Sequence, residues 1–235
     1  MRQAPRRTQQ RSVDTRDRLV EAALEIFAAR GFDGATTRAI AERAGVALAA
    51  LPYHFETKDA LWRAAADRIF ERLRERFGEL LRGIGDVDLR ERLRRLIGEF
   101  ARFAAAHPEL HRFMLQEGTG PSARLAWLAE AHLRPLFSFV CGLIAEGQAQ
   151  GVVPPGRPEH LYYALIGAAS MPYAVAPEYA LLAGREPSAP GLVDAHVEAL
   201  LGLLLPEPAP RSRSGAPRRG PSRRGAGRSR SAPRR

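Results

Sequence analysis

The sequence has no asparagine, one lysine (Lys58) against 35 arginines, and one cysteine, Cys141. The bias towards arginine fits a GC-rich coding sequence. A single cysteine excludes an internal disulfide framework and suits a reducing compartment. Set among Phe139, Val140, Leu143 and Ile144, Cys141 reads as a small apolar residue of the core, with a redox sensor as the lesser alternative. No run approaches the ~20 apolar residues a membrane span needs. The arginine-bearing N-terminus has no apolar segment behind it that would make a secretion signal. A soluble, cytoplasmic protein without a membrane partner is therefore expected. Sustained two-residue alternation is also missing, which leaves an all-α chain. No serine–histidine–acid set, glycine-rich phosphate loop or carboxylate pair stands out, so neither an enzyme nor a cofactor is expected. His107 and His111 have the four-residue spacing of a helical zinc pair. Pro108 puts His107 outside the helix and no third ligand is evident, so no metal is expected.

The charge is unevenly spread. The net charge is +10, of which residues 206–235 contribute +9 and residues 1–13 contribute +4. The body between them is mildly acidic. Residues 1–13 read as a basic disordered arm, either merely solvated or touching phosphates and the minor groove. Residues 206–235, built of Pro, Arg, Ser, Gly and Ala, cannot bury enough surface to offset ordering entropy and read as a disordered tail. Such ends could hold DNA through counterion release, which keeps a second class open: a sequence-tolerant, architectural DNA-binding protein.

Helical periodicity fills the interval. Asp14 or Thr15 can cap a first helix carrying Leu19, Ala23, Ile26 and Phe27, and Gly31 ends it. Thr57 caps a long helix from Lys58 to about Arg82, of about 37 Å at 1.5 Å per residue. Further stripes run Leu89–Phe103, Leu110–Leu115, Leu125–Ile144, Leu161–Leu182 and Leu192–Leu205, with a kink expected at Met171-Pro172. The densest signal lies between residues 31 and 55. Thr37 is a ready N-cap, Ile40, Ala41 and Ala44 form one apolar stripe, and Gly45 suits a left-handed C-terminal stop. Val46 pins the turn, and a second short helix follows over about Leu48 to His54. Two short helices joined by a glycine-containing turn make a helix-turn-helix, whose second helix fits the major groove.

Phe32-Asp-Gly-Ala-Thr-Thr-Arg-Ala-Ile-Ala-Glu-Arg-Ala-Gly-Val46, then Tyr53-His54-Phe55 and Lys58-Asp59-Ala60-Leu61, resembles the DNA-binding domain of the TetR (tetracycline repressor) family over about residues 15–65. The resemblance implies an all-α fold divided at 14–60 (DNA-binding, helix-turn-helix 36–55) and 61–205 (ligand-binding and dimerisation). It implies a homodimer on a palindromic double-stranded operator, repressing transcription and released by a small-molecule effector. The residues implied at the DNA are Thr36, Thr37, Arg38, Ala47, Leu48, Ala50, Tyr53, His54 and Lys58, with Phe55 in the core. Two departures stand out. Ala47, Leu48, Ala49 and Ala50 replace the commoner Ser-Lys-Gly-Thr and offer only apolar contact to thymine methyls. Pro52 lacks an N–H and should tighten or bend the helix near Leu51. Specificity is therefore expected to lean on Arg38, Tyr53, His54 and DNA shape. For the effector pocket, Phe113, Trp127, His132, Phe137, Tyr162 and Tyr163 are the aromatic candidates. The dimer interface is expected from Gly167-Ala168-Ala169-Ser170 and the Leu200–Leu205 stripe.

Overall fold

The structure, a computed structural model, describes residues 4–206, with side chains from residue 12 onward. Within that range the only regular elements are helices. The reading head comprises α1 (Ala4–Gly34), α2 (Thr37–Ala44), a 3-10 turn at Leu48–Ala50, and α3 (Leu51–His54). The remainder comprises α4 (Lys58–Gly83), α5 (Leu89–Ala106), α6 (Pro108–Glu117), α7 (Ala123–Leu128), a π turn at Ala129–Leu133, α8 (Arg134–Ala149), α9 (Pro158–Ala174), α10 (Ala176–Ala183) and α11 (Leu192–Leu204).

The start of α1 lies ahead of the cap expected at Asp14 or Thr15, within the arm expected over 1–13. The helix reaches back to Ala4. Residues 4–13 contain no glycine, and five of the ten are arginine or glutamine, good helix formers. Pro5 falls in the first turn, where a missing N–H costs nothing. Residues 1–3, and nearly all of the tail expected to be disordered, lie outside the described range. At the other end, Gly31 breaks the helix with φ 68°. A side chain there would be strained, and its Cβ would also meet Gln116 Oε1 at 3.0 Å.

Leu19, Ala23 and Phe27 are buried on the face of α1 that meets α2, α4 and α6. Packing of α1 on α6 is the most extensive helix pair in the molecule, so the reading head and the larger domain share one core. Trp62 on α4 anchors it: it stacks on Phe113 of α6 at 5.1 Å and meets Trp127 edge-on at 5.9 Å. Burying an aromatic this size contributes on the order of 1.5–3 kcal/mol, with a further ~0.5–1.5 kcal/mol from each ring pair.

α7, the π turn and α8 form one 27-residue rod, Ala123–Ala149, long and apolar enough by composition to cross a bilayer, where no such run was expected. Its inward residues Leu136, Val140 and Leu143 pack towards α5 and α9 instead. The π turn directly precedes Pro135. A proline ring clashes with the carbonyl four residues back and removes one ladder hydrogen bond, which accounts for a widened turn there. Pro172 likewise does not stop α9. The helix continues to Ala174 and breaks at Val175, two residues before Pro177.

Candidate nucleic-acid interface and effector cavity

The helix-turn-helix is built from its caps. Thr36, not Thr37, is the N-cap of α2: its extended backbone lets Oγ1 accept from the Ala39 N–H at 3.1 Å. Thr37 is the first helical residue and is half-buried. Ile40, Ala41 and Ala44 face the core, and Gly45 closes the helix in the left-handed region at φ 62°. Its N–H bonds back to Glu42 O and Val46 N–H to Ala41 O. Arg18 of α1, which carried no signal in the sequence, clamps this turn. Its Nη2 donates to Ala44 O and, at 2.7 Å, to Gly45 O. A positive group on the last carbonyls of a helix is favourable both as hydrogen bond and as dipole partner.

Beyond the turn, Ala47 to His54 is not one helix. Leu48–Ala50 winds as a 3-10 turn and Leu51–His54 as a single α turn with Pro52 at its start, where the missing N–H is tolerated. This is the tightening expected at Leu51, achieved without a kinked ladder. Leu51 and Phe55 anchor the segment in the core, while Tyr53 is 89% exposed and Leu48 42%. Arg38, Ala47 and Ala49 are also exposed, Ala50 and His54 half-buried. Lys58 opens α4 behind the Thr57 cap, whose Oγ1 accepts from Ala60 N–H at 3.0 Å. Its Nζ lies 4.5 Å from the centre of the Phe32 ring.

Phe32 connects the head to the larger domain. The guanidinium of Arg124 sits 3.8 Å above its centre and pairs with Glu117, a buried carboxylate at the end of α6. A desolvated carboxylate without that partner would be strongly unfavourable, so Glu117, Arg124 and Phe32 hold as one unit. Within the larger domain, His132 ties the π turn to α4. It stacks on Phe70 at 4.7 Å and is held between Asp67 at 2.9 Å and Arg74 at 3.1 Å. Burial lowers its pKa, opposed by Asp67 and reinforced by Arg74.

A cavity of about 400 Å³ lies in the larger domain, within the range of small-molecule sites. Leu73, Ile97, Phe100, Ile144, Leu165 and Leu204 represent the five helices around it, and every lining side chain is hydrocarbon. It reaches the surface near Phe139, Ala164 and Leu203. The aromatic candidates are not among its walls. Phe113 and Trp127 belong to the Trp62 stack, and His132 to the Asp67–Arg74 link. Phe137 meets Tyr162 edge-on at 4.9 Å, and Tyr163 is 68% exposed. Burial and the neighbouring Tyr163 and Cys141 push the Tyr162 hydroxyl up to about 12. Cys141 is half-exposed rather than core, its thiol raised chiefly by burial. The expected dimer residues also divide: Ala169, Ser170, Leu200, Leu201 and Leu205 are buried within the chain, while Gly167, Ala168 and Leu203 remain accessible.

A three-helix reading head with a helix-turn-helix, sharing a core with a cavity-bearing helical domain, is the architecture of a DNA-binding transcriptional regulator. Residues 19–65 match the profile of "Bacterial regulatory proteins, tetR family". The chain is 30% identical over 141 residues to the HTH-type transcriptional regulator UidR of Escherichia coli (strain K12), covering 60% of this chain and 70% of UidR. It is 26% identical over 167 residues to the "Probable HTH-type transcriptional regulator YttP" of Bacillus subtilis (strain 168), covering 71% and 80%. The crystal structure of AibR in complex with isovaleryl coenzyme A and operator DNA has the same fold, with TM-score 0.66 and 17% identity, covering 82% of this chain and 98% of AibR. The chain belongs to the TetR family of transcriptional regulators.

Proposed function

We propose that the protein is a cytoplasmic homodimeric repressor that binds a near-palindromic operator and is released by a small molecule filling the cavity. The observation that carries this reading is α6, which packs on α1 of the head while neighbouring α5 and α9 supply walls of the cavity. A ligand changes DNA affinity only through its differential interaction with two states, and a cavity beside this shared core supplies the means. In the proposed complex Leu48 and Ala47 meet base edges by apolar contact, and Ala50 packs beside them. Arg38, Tyr53 and His54 add polar contacts, and Thr36, Thr37 and Lys58 hold phosphates near the start of α2 and α4. The proposed dimer face carries Tyr163, Met171 and Leu203, all well exposed in the single chain. A partner there would cover the mouth of the cavity.

Binding-site selection from random duplex DNA, using the full chain and a chain ending at residue 205, tests the reading. One near-palindrome from both proteins, with salt-sensitive affinity reduced in the shorter, is the expected result. Binding that needs the arginine-rich tail and yields no motif would replace it with the architectural reading.

A further inference from the structure

Among the described residues, three buried side-chain polar atoms have no hydrogen-bond partner: His111 Nδ1, Tyr173 Oη and His196 Nε2. The last two belong to rings that meet edge to face at 5.7 Å between α9 and α11. His111 is placed differently. Its ring packs edge to face on Phe100 at 5.7 Å, and Phe100 is part of the cavity wall. The Phe100 side chain thus touches both the ring that carries the unpaired nitrogen and a space lined wholly by hydrocarbon. Packing alone does not account for a histidine here, since leucine or phenylalanine would fill the position without an unpaired polar atom. Burial lowers the His111 pKa to about 4. The ring is thus neutral near pH 7 and offers one donor and one acceptor rather than a charge.

We propose that His111 is the polar anchor of the effector: an uncharged, largely aliphatic molecule with one hydroxyl or carbonyl fills the cavity and pairs with Nδ1 once the Phe100 side chain swings aside. The proposal rests on reading the cavity as the effector site. The wall dictates the chemistry. A charged group inside it would be desolvated with no counter-charge, and plain hydrocarbon would leave Nδ1 unpaired. A single placed polar group in an apolar pocket is the usual source of orientation and selectivity. Phe100 lines the cavity, so its ring has open volume on one side. The anchor also lies on α6, so the ligand's one polar contact falls on the helix packed against the reading head.

Displacement of the neutral dye N-phenyl-1-naphthylamine from the full-length protein tests this, with decanol, decane and decanoate as competitors. Decanol is expected to displace the dye about tenfold better than either of the others, the scale of one hydrogen bond otherwise left unmade. That preference should vanish in His111→Leu and return in part in His111→Gln. Ile97→Trp, which fills the cavity, should abolish dye binding. Should the leucine variant fail to fold, the imidazole resonance of His111 in the unaltered protein decides: it should move with decanol and not with decane. A folded His111→Leu that keeps the preference, or an unmoved resonance, overturns the proposal, while loss of dye binding in Ile97→Trp leaves the cavity reading standing. Dye binding that is absent, or indifferent to Ile97→Trp, overturns both.

Discussion

Replacing Arg18 with alanine removes the clamp on the helix-turn-helix turn without touching the recognition segment. Two charge-assisted hydrogen bonds, to Ala44 O and Gly45 O, are lost, together with the cation at the C-terminal end of α2. Bonds to a charged donor contribute about 1.5–3 kcal/mol where fully buried. One of these is exposed and the other only part-buried, so solvent screening reduces the combined effect to about 1–2 kcal/mol. For a chain of this size that lowers Tm by about 2–8 °C. If loosened turns do not dock in the groove, operator affinity falls by about 5–30-fold. Fluorescence anisotropy on the selected operator, repeated over a salt series, separates the clamp from a direct phosphate contact. A residue that neutralises a phosphate contributes about 0.9 to the slope of log K against log salt; a clamp leaves the slope unchanged. Lost affinity with a shallower slope would refute the clamp, as would a variant whose Tm and affinity both match the parent.

Thr36→Ala should cost about 1 kcal/mol by loss of the cap and Thr37→Ala distinctly less, read as the difference in denaturation midpoint. Trp62→Ala should destabilise by about 3–5 kcal/mol in equilibrium unfolding, since it empties the junction between head and body. Arg124→Ala leaves Glu117 buried without its partner and should cost about 3–5 kcal/mol, with much of the loss recovered in the double variant Arg124→Ala/Glu117→Gln. The His111 imidazole has its pKa lowered to about 4 from 6.5, so between those values the unfolded chain binds the extra proton. Stability should therefore fall as pH drops from 6.5 towards 4, by up to about 3 kcal/mol, and His111→Leu should flatten the acid limb of a Tm-against-pH profile.

The residues that declared themselves in the sequence were those whose role is local. Ile40, Ala41 and Ala44 mark a helix face, Gly45 a left-handed stop, and Thr57 and Pro108 helix starts, because periodicity and capping depend on neighbours a few positions away. Thr36 and Thr37 show the limit. Either hydroxyl could cap α2, and only the extended backbone at Thr36 decides it. Arg18 gave no signal because its partners are carbonyls 26 and 27 residues on. The walls of this cavity could not be read from the sequence, for a physical reason. Phe113 and Trp127 pack with Trp62, and Phe137 packs with Tyr162, while other rings, Phe77, Phe100 and Phe139, line the cavity. The space lies among leucines, isoleucines, valines and these phenylalanines. Periodicity tells which side chains point inward but not where the crossing of five helices leaves room.

The chain has two tryptophans, and both lie at that junction. Trp62 is shielded from water, stacked on Phe113 and edge-on to Trp127, while Trp127 carries the guanidinium of Arg63 4.8 Å from its ring centre and His132 at 5.3 Å. The molecule's ultraviolet emission thus originates where the reading head joins the cavity domain. A wavelength or intensity change on adding a small molecule or a DNA duplex would report strain at this joint directly, so the protein carries its own optical gauge with no label attached.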